Sequence, residues 1–236
     1  MKIKLFLLFV TLFLGIFLLL AQNKKPRGQK IRRPCDVKAY GIDISKHNLV
    51  VNWNRVKNQT DWKIDFLIIK ATSGSSWTDE MYFENRRQAQ KLWSVVGFYH
   101  YYRPSENSTL QAKNYIKVVR LWSGNIKPIV DIEDTSIIQS HDKLRSGLKN
   151  WLNIVNKHYG VVPIIYTYGN FWEKYLKGHG FDKYPLWIAD CSKGSCNNGV
   201  IKSAVMHQFS HELKIPGIKG PVDGDSTSCL CKILIK

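Results

Sequence analysis

The segment Lys127-Pro-Ile-Val-Asp-Ile-Glu-Asp134 joins a short apolar run to a cluster of carboxylates. Its apolar, β-branched residues predict a strand over 128–132. Side chains alternate along a strand, so Asp131 and Glu133 lie on one face, roughly 6–7 Å apart along the chain. Two like charges held that close raise the pKa of one of them, which keeps a carboxylic acid protonated for use as a general acid. The structural alternative is that one carboxylate caps a helix or pairs with a cation.

Similar runs recur on both sides of this segment, and helical patterns separate the early ones. The other β-rich runs cover residues 39–44, 66–71, 95–102, 162–167, 186–189 and 204–209, and the helical patterns cover 81–93, 110–122 and 140–159. Ser108 with Gln111 three residues later predicts a capping box at the start of the second helix. Gly160 predicts the end of the third helix.

This alternation of near-continuous apolar strands with helices predicts an α/β fold with a parallel sheet covered on both faces. At least five βα units come before several strands joined by short loops. That count favours an irregular TIM-like barrel, with 37–236 as one catalytic domain. An open doubly wound sheet is the alternative, but no GxGxxG or P-loop follows any run, which removes the usual nucleotide-binding reasons for it.

The first residues differ from the rest of the chain. Lys2 and Lys4 precede an apolar run that ends at Ala21, and this pattern over 1–21 predicts a secretory signal. The segment is either cleaved or retained as an N-terminal membrane anchor. A basic linker follows over 22–36. We therefore expect an exported protein that acts in the cell envelope or outside the cell.

Cysteine usage fits an exported protein, in which cysteines favour disulfides over catalysis. Cys191 and Cys196 could close a short loop, and Cys35 could join Cys229 or Cys231 if the chain ends meet. One cysteine would be left over. There is no CxxC pair and no His-rich spacing for zinc, so we predict no metal and no cofactor.

The formal net charge is +17. A basic surface either serves solubility or attracts a polyanion, and outside a cell that polyanion is an anionic wall or membrane surface. No motif for binding nucleic acid is present. We expect a monomer.

Further candidate site residues lie at the ends of the runs, since active groups of parallel α/β folds cluster at the C-terminal ends of strands. Asp43 ends the first run, and its alternative role is to cap the turn before Trp53. Asp223 is a turn residue or a calcium ligand by pattern alone. Aromatic and polar side chains at other run ends would suit sugar binding in a cleft: Tyr99, Tyr166, Tyr168, Trp187 and Gln208. The histidines at 47, 100 and 207 have no ligand spacing and are expected to be packed barrel residues.

Eight segments in chain order, spanning about residues 38–227, resemble glycoside hydrolase family 25, the Chalaropsis-type lysozymes. They are YGIDISKHN, DFLIIKATSG, VVGFYHYYRP, KPIVDIED, PIIYTYGNFW, YPLWIAD, MHQFS and IPGIKGPVDGD. The resemblance implies an incomplete barrel of about five βα units followed by three strands. It also implies hydrolysis of the β-1,4 bond between N-acetylmuramic acid and N-acetylglucosamine in peptidoglycan.

The resemblance also assigns roles to single residues. Glu133 would be the general acid, and Asp131 would orient the substrate N-acetyl group as that group helps to expel the leaving sugar. Asp43 and Asp223 would shape and polarise the cleft floor. Tyrosines would contact the sugar or its N-acetyl group: Tyr99, Tyr166 and Tyr168. Both a retaining and an inverting outcome remain open.

Departures from the family pattern concern the walls of the cleft. Ser73 stands where the family often has Glu, which we expect to loosen one rim, and His207 replaces a bulky aromatic residue. Cys191 stands where the family usually has Tyr.

Two other functions compete with an active muramidase. One is a wall-binding protein without catalysis, and the other is an envelope protein that binds polyanions and releases them in salt.

Overall fold

The computed structural model describes residues 39–59, 63–190 and 203–236. Its strands are β1 (Ala39–Ile44), β2 (Leu49–Val50), β3 (Phe66–Ser73), β4 (Trp77–Thr78), β5 (Val96–Tyr101), β6 (Ile129–Asp131), β7 (Ile164–Tyr168), β8 (Leu186–Ala189), β9 (Met206–Leu213), β10 (Ile218–Lys219) and β11 (Val222–Thr227). Its α-helices are α1 (Trp53–Asn58), α2 (Tyr82–Leu92), α3 (Ser108–Val118), α4 (His141–Tyr159) and α5 (Gly169–Phe171), the last continuing as a π-helical turn over Trp172–Leu176.

Eight strands close into a barrel in the order β1-β11-β9-β8-β7-β6-β5-β3, and β3 pairs back to β1. The neighbours from β1 through β3 and β5 to β9 are parallel, whereas β11 is antiparallel to both β9 and β1. Five strands are each followed by a helix, and β8, β9 and β11 complete the circle. The predicted irregular TIM-like barrel is confirmed, and the open sheet is excluded.

The eighth strand was missed from the sequence. Gly220, Pro221 and the acidic residues of β11 suggested a turn around Asp223, but the structure places this segment in the barrel wall. Its backbone pairs with two neighbours at once, and the register sets Asp223 opposite Asp43. Pairing on both edges outweighs the weak strand propensity of Gly and Asp.

Alternation of side chains separates two apolar cores. On β3, Phe66 and Ile68 belong to the core inside the barrel, whereas Leu67 and Ile69 belong to the core between the barrel and its helices. The interior is tightly filled, because a Cβ atom at Gly41 on the neighbouring strand would overlap the ring of Phe66. Only glycine is compatible with that packing at position 41.

The N-terminal end of the barrel is closed by the segment that follows β11. Ile233 accepts a hydrogen bond from the Lys127 amide, and the Ile235 amide donates to Asn125. Ile126 and Ile233 are both fully buried in the interior core. This pairing fixes the loop that leads directly into β6.

The predictions that concern residues 1–36 fall outside the described residues, as do Cys35, Cys191 and Cys196. No helix in the described ranges is both long enough and apolar enough to cross a membrane.

Cys229 lies against Cys231, with their Cα atoms 5.3 Å apart. This close pair differs from the expected pairing, in which Cys35 joins one of the two.

The caps of α3 and α4 agree only in part with the sequence patterns. Gly160 ends α4 as predicted, in a left-handed conformation (φ 70°), and Ser140 caps its start. For α3 the predicted cap at Ser108 is wrong, because Asn107 accepts from the amides of Thr109 and Leu110. Gln111 therefore does not close a capping box and instead turns inward.

Removing the Asn107 cap tests this correction. We expect Asn107→Ala to lower the free energy of unfolding by about 1 kcal/mol, because two helix amides lose their acceptor. Asn153→Ala is the matched control, since Asn153 is exposed in the interior of α4 and alanine favours a helix. Chemical denaturation measures both, and an equal effect of the two variants would contradict the assignment.

Candidate active site

The chemistry-bearing residues form a ring at the C-terminal mouth of the barrel. On each strand they continue the series of side chains that fills the interior below. Ile129 on β6 is followed two residues later by Asp131, and Ile164 on β7 is followed by Tyr166. Because every second side chain of a closed barrel faces inward, the last inward positions of all strands meet at one opening.

A cavity of about 70 Å³ lies at the centre of this ring. It is lined by Asp43, Tyr99, Asp131, Glu133, Tyr166, Trp187, Gln208 and Asp223. Tyr168 is the remaining candidate; it is 46% exposed, and its side chain lies close to that of Glu133. All nine residues singled out in the sequence therefore come together at one end of the fold.

Strand register explains why residues so far apart in the chain are neighbours. Asp131 pairs with Tyr166 across β6 and β7, and Tyr166 pairs with Trp187 across β7 and β8. On the other side of the ring, Gln208 of β9 pairs with Asp225 of β11.

Hydrogen bonds connect side chains around the ring, from Tyr166 through Gln208 to Asp43. The Tyr166 hydroxyl donates to Gln208 Oε1 at 2.9 Å, and Gln208 Nε2 donates to Asp43 Oδ2 at 2.9 Å. Trp187 Nε1 donates to Asp225 Oδ1 at 3.0 Å. Each of these side chains is almost completely buried, so this arrangement is rigid.

Asp225 is the main site residue that the sequence analysis did not select. It is fully buried, Trp187 Nε1 donates to its Oδ1, and its carboxyl group is a close neighbour of that of Asp43. The available signal was spacing: in a strand, Asp223 and Asp225 face the same way. Side chains do not alternate in this way in a turn, so the spacing was not informative as long as the segment was interpreted as a turn.

Burial of several acids together favours their protonated forms. Burial and the neighbouring Asp223 raise the pKa of Asp43 to about 8. Burial and Asp43 raise the pKa of Asp225 well above its usual value. Asp225 Oδ2 is buried and accepts no hydrogen bond from the described residues. A proton held between Asp43 and Asp225 would satisfy both groups.

The pair formed by Asp131 and Glu133 behaves in the same way. Burial, and then the neighbouring Glu133 carboxylate, raise the pKa of Asp131 well above its usual value. The two carboxyl groups are close neighbours, and Asp131 Oδ1 is buried without a hydrogen-bond partner among the described residues. Asp131 is only 5% exposed, whereas Glu133 is partly exposed towards the opening. Burial therefore favours a protonated Asp131, and Glu133, the more exposed member of the pair, lines the cavity.

The rim beside β3 is tightly held, which contradicts the expectation that Ser73 loosens it. The Ser75 amide and hydroxyl both donate to Glu106 Oε2, at 2.6 and 2.7 Å. Arg103 Nε donates to Ser73 Oγ at 3.1 Å. Asn114 Nδ2 donates to two backbone carbonyls of the same turn. Glu106, from the loop before α3, thus anchors the turn on which the family often has Glu.

His100 and His207 lie away from the cavity. His100 is fully buried on the outer side of β5, where its Nδ1 lies 2.7 Å from Thr72 Oγ1 and its ring stacks on Trp151. Burial lowers the pKa of His100 to about 3. His207 alternates with the inward-facing Gln208 and donates from Nε2 to the Asp190 carbonyl at 3.0 Å. The third histidine, at position 47, is exposed.

A larger groove lies elsewhere among the described residues. It measures about 680 Å³ and is formed by α1 and the segment between β9 and β11, from Glu212 to Pro221. We assign the site to the smaller cavity because the buried acids and their hydrogen bonds converge there. Within 39–59, 63–190 and 203–236, no set of three His, Cys, Asp or Glu side chains is arranged to hold a metal ion.

The family model described as "Glycosyl hydrolases family 25" matches residues 42–218. The chain belongs to this family. A relative in Escherichia coli K12, the uncharacterized protein YegX, is 31% identical over 196 residues, which are 82% of this chain and 71% of the relative. The autolytic lysozyme of Clostridium acetobutylicum is 32% identical over 189 residues, which are 80% of this chain and 55% of that protein.

Solved family 25 structures share the fold. The lysozyme of Aspergillus fumigatus superposes with a TM-score of 0.69 at 26% identity and covers 81% of this chain and 94% of its own. The lysozyme of Streptomyces coelicolor superposes with a TM-score of 0.72 at 22% identity over 83% and 94% of the two chains. This family 25 protein is therefore a glycosidase of the lysozyme, or muramidase, class.

The buried acids predict a pH-dependent stability. A carboxyl group whose pKa rises on folding stabilises the protein below its unfolded pKa of 3.8, and this contribution is lost as the pH rises towards about 8. We expect the free energy of unfolding to fall from pH 5 to pH 7, by up to about 1.4 kcal/mol per pH unit for each such group.

Asp43→Asn should make this pH dependence shallower, because one of the groups no longer titrates. Denaturant unfolding at pH 5, 6 and 7 measures the slope. Asp182→Asn, at an exposed acid, is the control and should retain the wild-type slope. A slope unchanged by Asp43→Asn would show that Asp43 does not take up a proton on folding.

Proposed function

We propose that this family 25 glycosidase hydrolyses the β-1,4 bond between N-acetylmuramic acid and N-acetylglucosamine in peptidoglycan. The observation that carries the proposal is the pair of neighbouring carboxyl groups, Asp131 and Glu133, that line the cavity. A glycosidase needs a carboxylic acid that is protonated near neutral pH and that faces the glycosidic oxygen. A deeply buried acid next to a more exposed one supplies both properties.

Glu133 is the general acid in this proposal. The raised pKa of Asp131 keeps a proton in the pair, and the more exposed position of Glu133 allows it to pass that proton to the leaving-group oxygen. Tyr168, whose side chain lies close to Glu133, would orient the carboxyl group. Once the proton has left, the pair carries an additional negative charge that stabilises a positively charged sugar ring.

The N-acetyl group of the muramyl residue takes the place of a second nucleophile. A cavity of about 70 Å³ suits an acetamido group better than a pyranose ring. Asp131, Tyr99 and Tyr166 surround it and would align the acetamido oxygen with the anomeric carbon. Attack by that oxygen displaces the protonated leaving sugar and closes an oxazolinium ring with inversion at the anomeric carbon. Water then opens this ring at the same carbon with a second inversion, so that the configuration is retained overall, an exception to the usual scheme with two carboxylates.

The outer walls of the site suit a polysaccharide. Tyr168 is exposed at the rim, and its ring lies 6.4 Å from that of Tyr166. Aromatic faces of this kind pack against sugar rings. Gln208 would contact the sugar through its amide, and Trp187 would support the floor.

The proposed setting is the cell envelope or the extracellular space. Residues 1–21 would direct export as a cleaved signal or an N-terminal anchor, and 22–36 would link them to the catalytic barrel. The relative in Clostridium acetobutylicum is described as autolytic. One structure of similar fold, the autolysin LytC of Streptococcus pneumoniae, was determined with a synthetic peptidoglycan ligand. We propose a monomer whose positive charge favours contact with an anionic wall or membrane surface.

Glu133→Gln tests the general acid. We expect turnover of purified peptidoglycan to fall by about two to four orders of magnitude, because the isosteric amide cannot donate the proton. Mass spectrometry should find muropeptides that end in reducing N-acetylmuramic acid with the wild type and nearly none with the variant.

Glu173→Gln is the matched control, because Glu173 is an exposed glutamate that pairs with Lys177 on the π-helical turn. Its products should equal those of the wild type. Normal products from Glu133→Gln would refute the assignment of the acid. Binding of peptidoglycan without any reducing ends, even by the wild type, would instead support a wall-binding protein without catalysis.

A further inference from the structure

Lys70 is a cation at a barrel mouth otherwise lined by acids, aromatic rings and an amide. It follows Phe66 and Ile68 in the series of β3 side chains that face the barrel interior. It is paired in register with Tyr99 of β5, one of the cavity residues. Lys70 therefore lies beside the cavity at the level of the acids.

Three aromatic rings surround the ammonium group. Lys70 Nζ lies 4.5 Å from the ring centroid of Tyr101, 5.8 Å from that of Tyr99 and 5.9 Å from that of Trp77. Ring faces attract a cation at these distances without neutralising its charge. The Tyr101 hydroxyl in turn donates to Asp134 at 2.5 Å, which fixes one ring of the group.

No carboxylate among the described residues forms an ion pair with Lys70. The neighbouring Lys46 shows the contrast: its ammonium group also lies near Trp77, but it pairs with Glu80 at 2.7 Å. Lys70 also donates no hydrogen bond to the residues that the structure describes. An ammonium group carries three N–H donors, and those of Lys70 are held next to the cavity by packing alone.

We propose that Lys70 binds a carboxylate of the substrate, carried on the 3-O-lactyl arm that distinguishes muramic acid from glucosamine. This inference rests on the proposed function. The carboxylate has two sources: the lactyl group itself where the glycan bears no peptide, and the stem peptide where the lactyl carboxyl is an amide. In both cases Lys70 selects an anionic glycan over a neutral one such as chitin.

Lys70 also has an electrostatic effect on Asp131, which has to be distinguished from binding of the substrate carboxylate. Its charge lies close enough to Asp131 to favour the ionised form of that acid, against the effects of burial and Glu133. A lysine that served only this purpose would affect charged and neutral substrates equally. A lysine that binds the substrate carboxylate affects only glycans that carry one.

The test measures binding, so that it does not depend on turnover. Calorimetry in the Glu133→Gln background would compare Lys70 with Lys70→Met, which keeps the length and packing of the chain, and with Lys70→Arg, which keeps the charge. The probes are a tetrasaccharide of alternating N-acetylglucosamine and N-acetylmuramic acid, its lactyl methyl amide, the same glycan with Ala-Glu dipeptides on the lactyl groups, and chitotetraose.

We expect Lys70→Met to raise Kd about tenfold for the tetrasaccharide with free carboxylates, because one charged hydrogen bond is lost. The methyl amide and chitotetraose should bind with unchanged Kd, and Lys70→Arg should restore most of the affinity. Loss of affinity for the dipeptide glycan alone would also support the proposal and assign the carboxylate to the stem peptide. Equal weakening of all four probes, or of none, would overturn it.

The experiments distinguish a protein without a carboxylate site at Lys70 from a protein without muramidase activity. A protein that releases muropeptides but binds all four probes regardless of residue 70 would be a muramidase without a carboxylate site at Lys70. A protein that shows the charge-selective loss but releases no products would bind anionic glycans without cleaving them. Thermal unfolding of each variant ensures that only folded protein is compared.

Discussion

Closure of eight strands into a barrel is the constraint on which the rest of the structure depends. It confines every second side chain to a narrow interior that is filled at one end and open at the other. Phe66 occupies so much of that space that its neighbour at position 41 has no room for a side chain. With the lower layers filled by apolar residues, the last inward-facing position of each strand meets all the others at the mouth.

The same confinement sets the acid–base properties of the site. Carboxyl groups meet at the mouth, where Asp43, Asp131 and Asp225 are buried and Glu133 and Asp223 are partly exposed. Ionising all of them would leave buried like charges without partners, which a folded protein avoids by retaining protons. The tendency of these carboxyl groups to stay protonated therefore comes from the way the fold brings them together, more than from any one residue. The apolar layers below must offset the cost of keeping these acids buried.

Most of the barrel could be predicted because its strands and helices have distinct periodicities. The runs at 39–44 and 186–189 were predicted at the bounds that the structure shows, and carboxylates at strand ends indicated the site. β11 could not be predicted in this way, since Gly and Asp have weak strand propensity and its pairing comes from residues far away in the chain. Asp225 lies on this strand and for that reason was not identified as a site residue from the sequence. Lys70 lies in the predicted run 66–71, but the aromatic rings around it come from β4 and β5 and depend on the tertiary structure. Asn107 was overlooked because Ser108, beside it, fits a capping pattern equally well.

The late position of β11 in the chain has a consequence for how the enzyme matures. Its pairing with β1 joins residues 39–43 to residues 223–227, and such long-range contacts form slowly and only after most of the chain is available. Asp43 has neither Asp223 nor Asp225 beside it until then. A chain that is still being synthesised therefore contains the proposed acid but no assembled site. The topology of the barrel thus delays activity until the whole domain has been synthesised and folded.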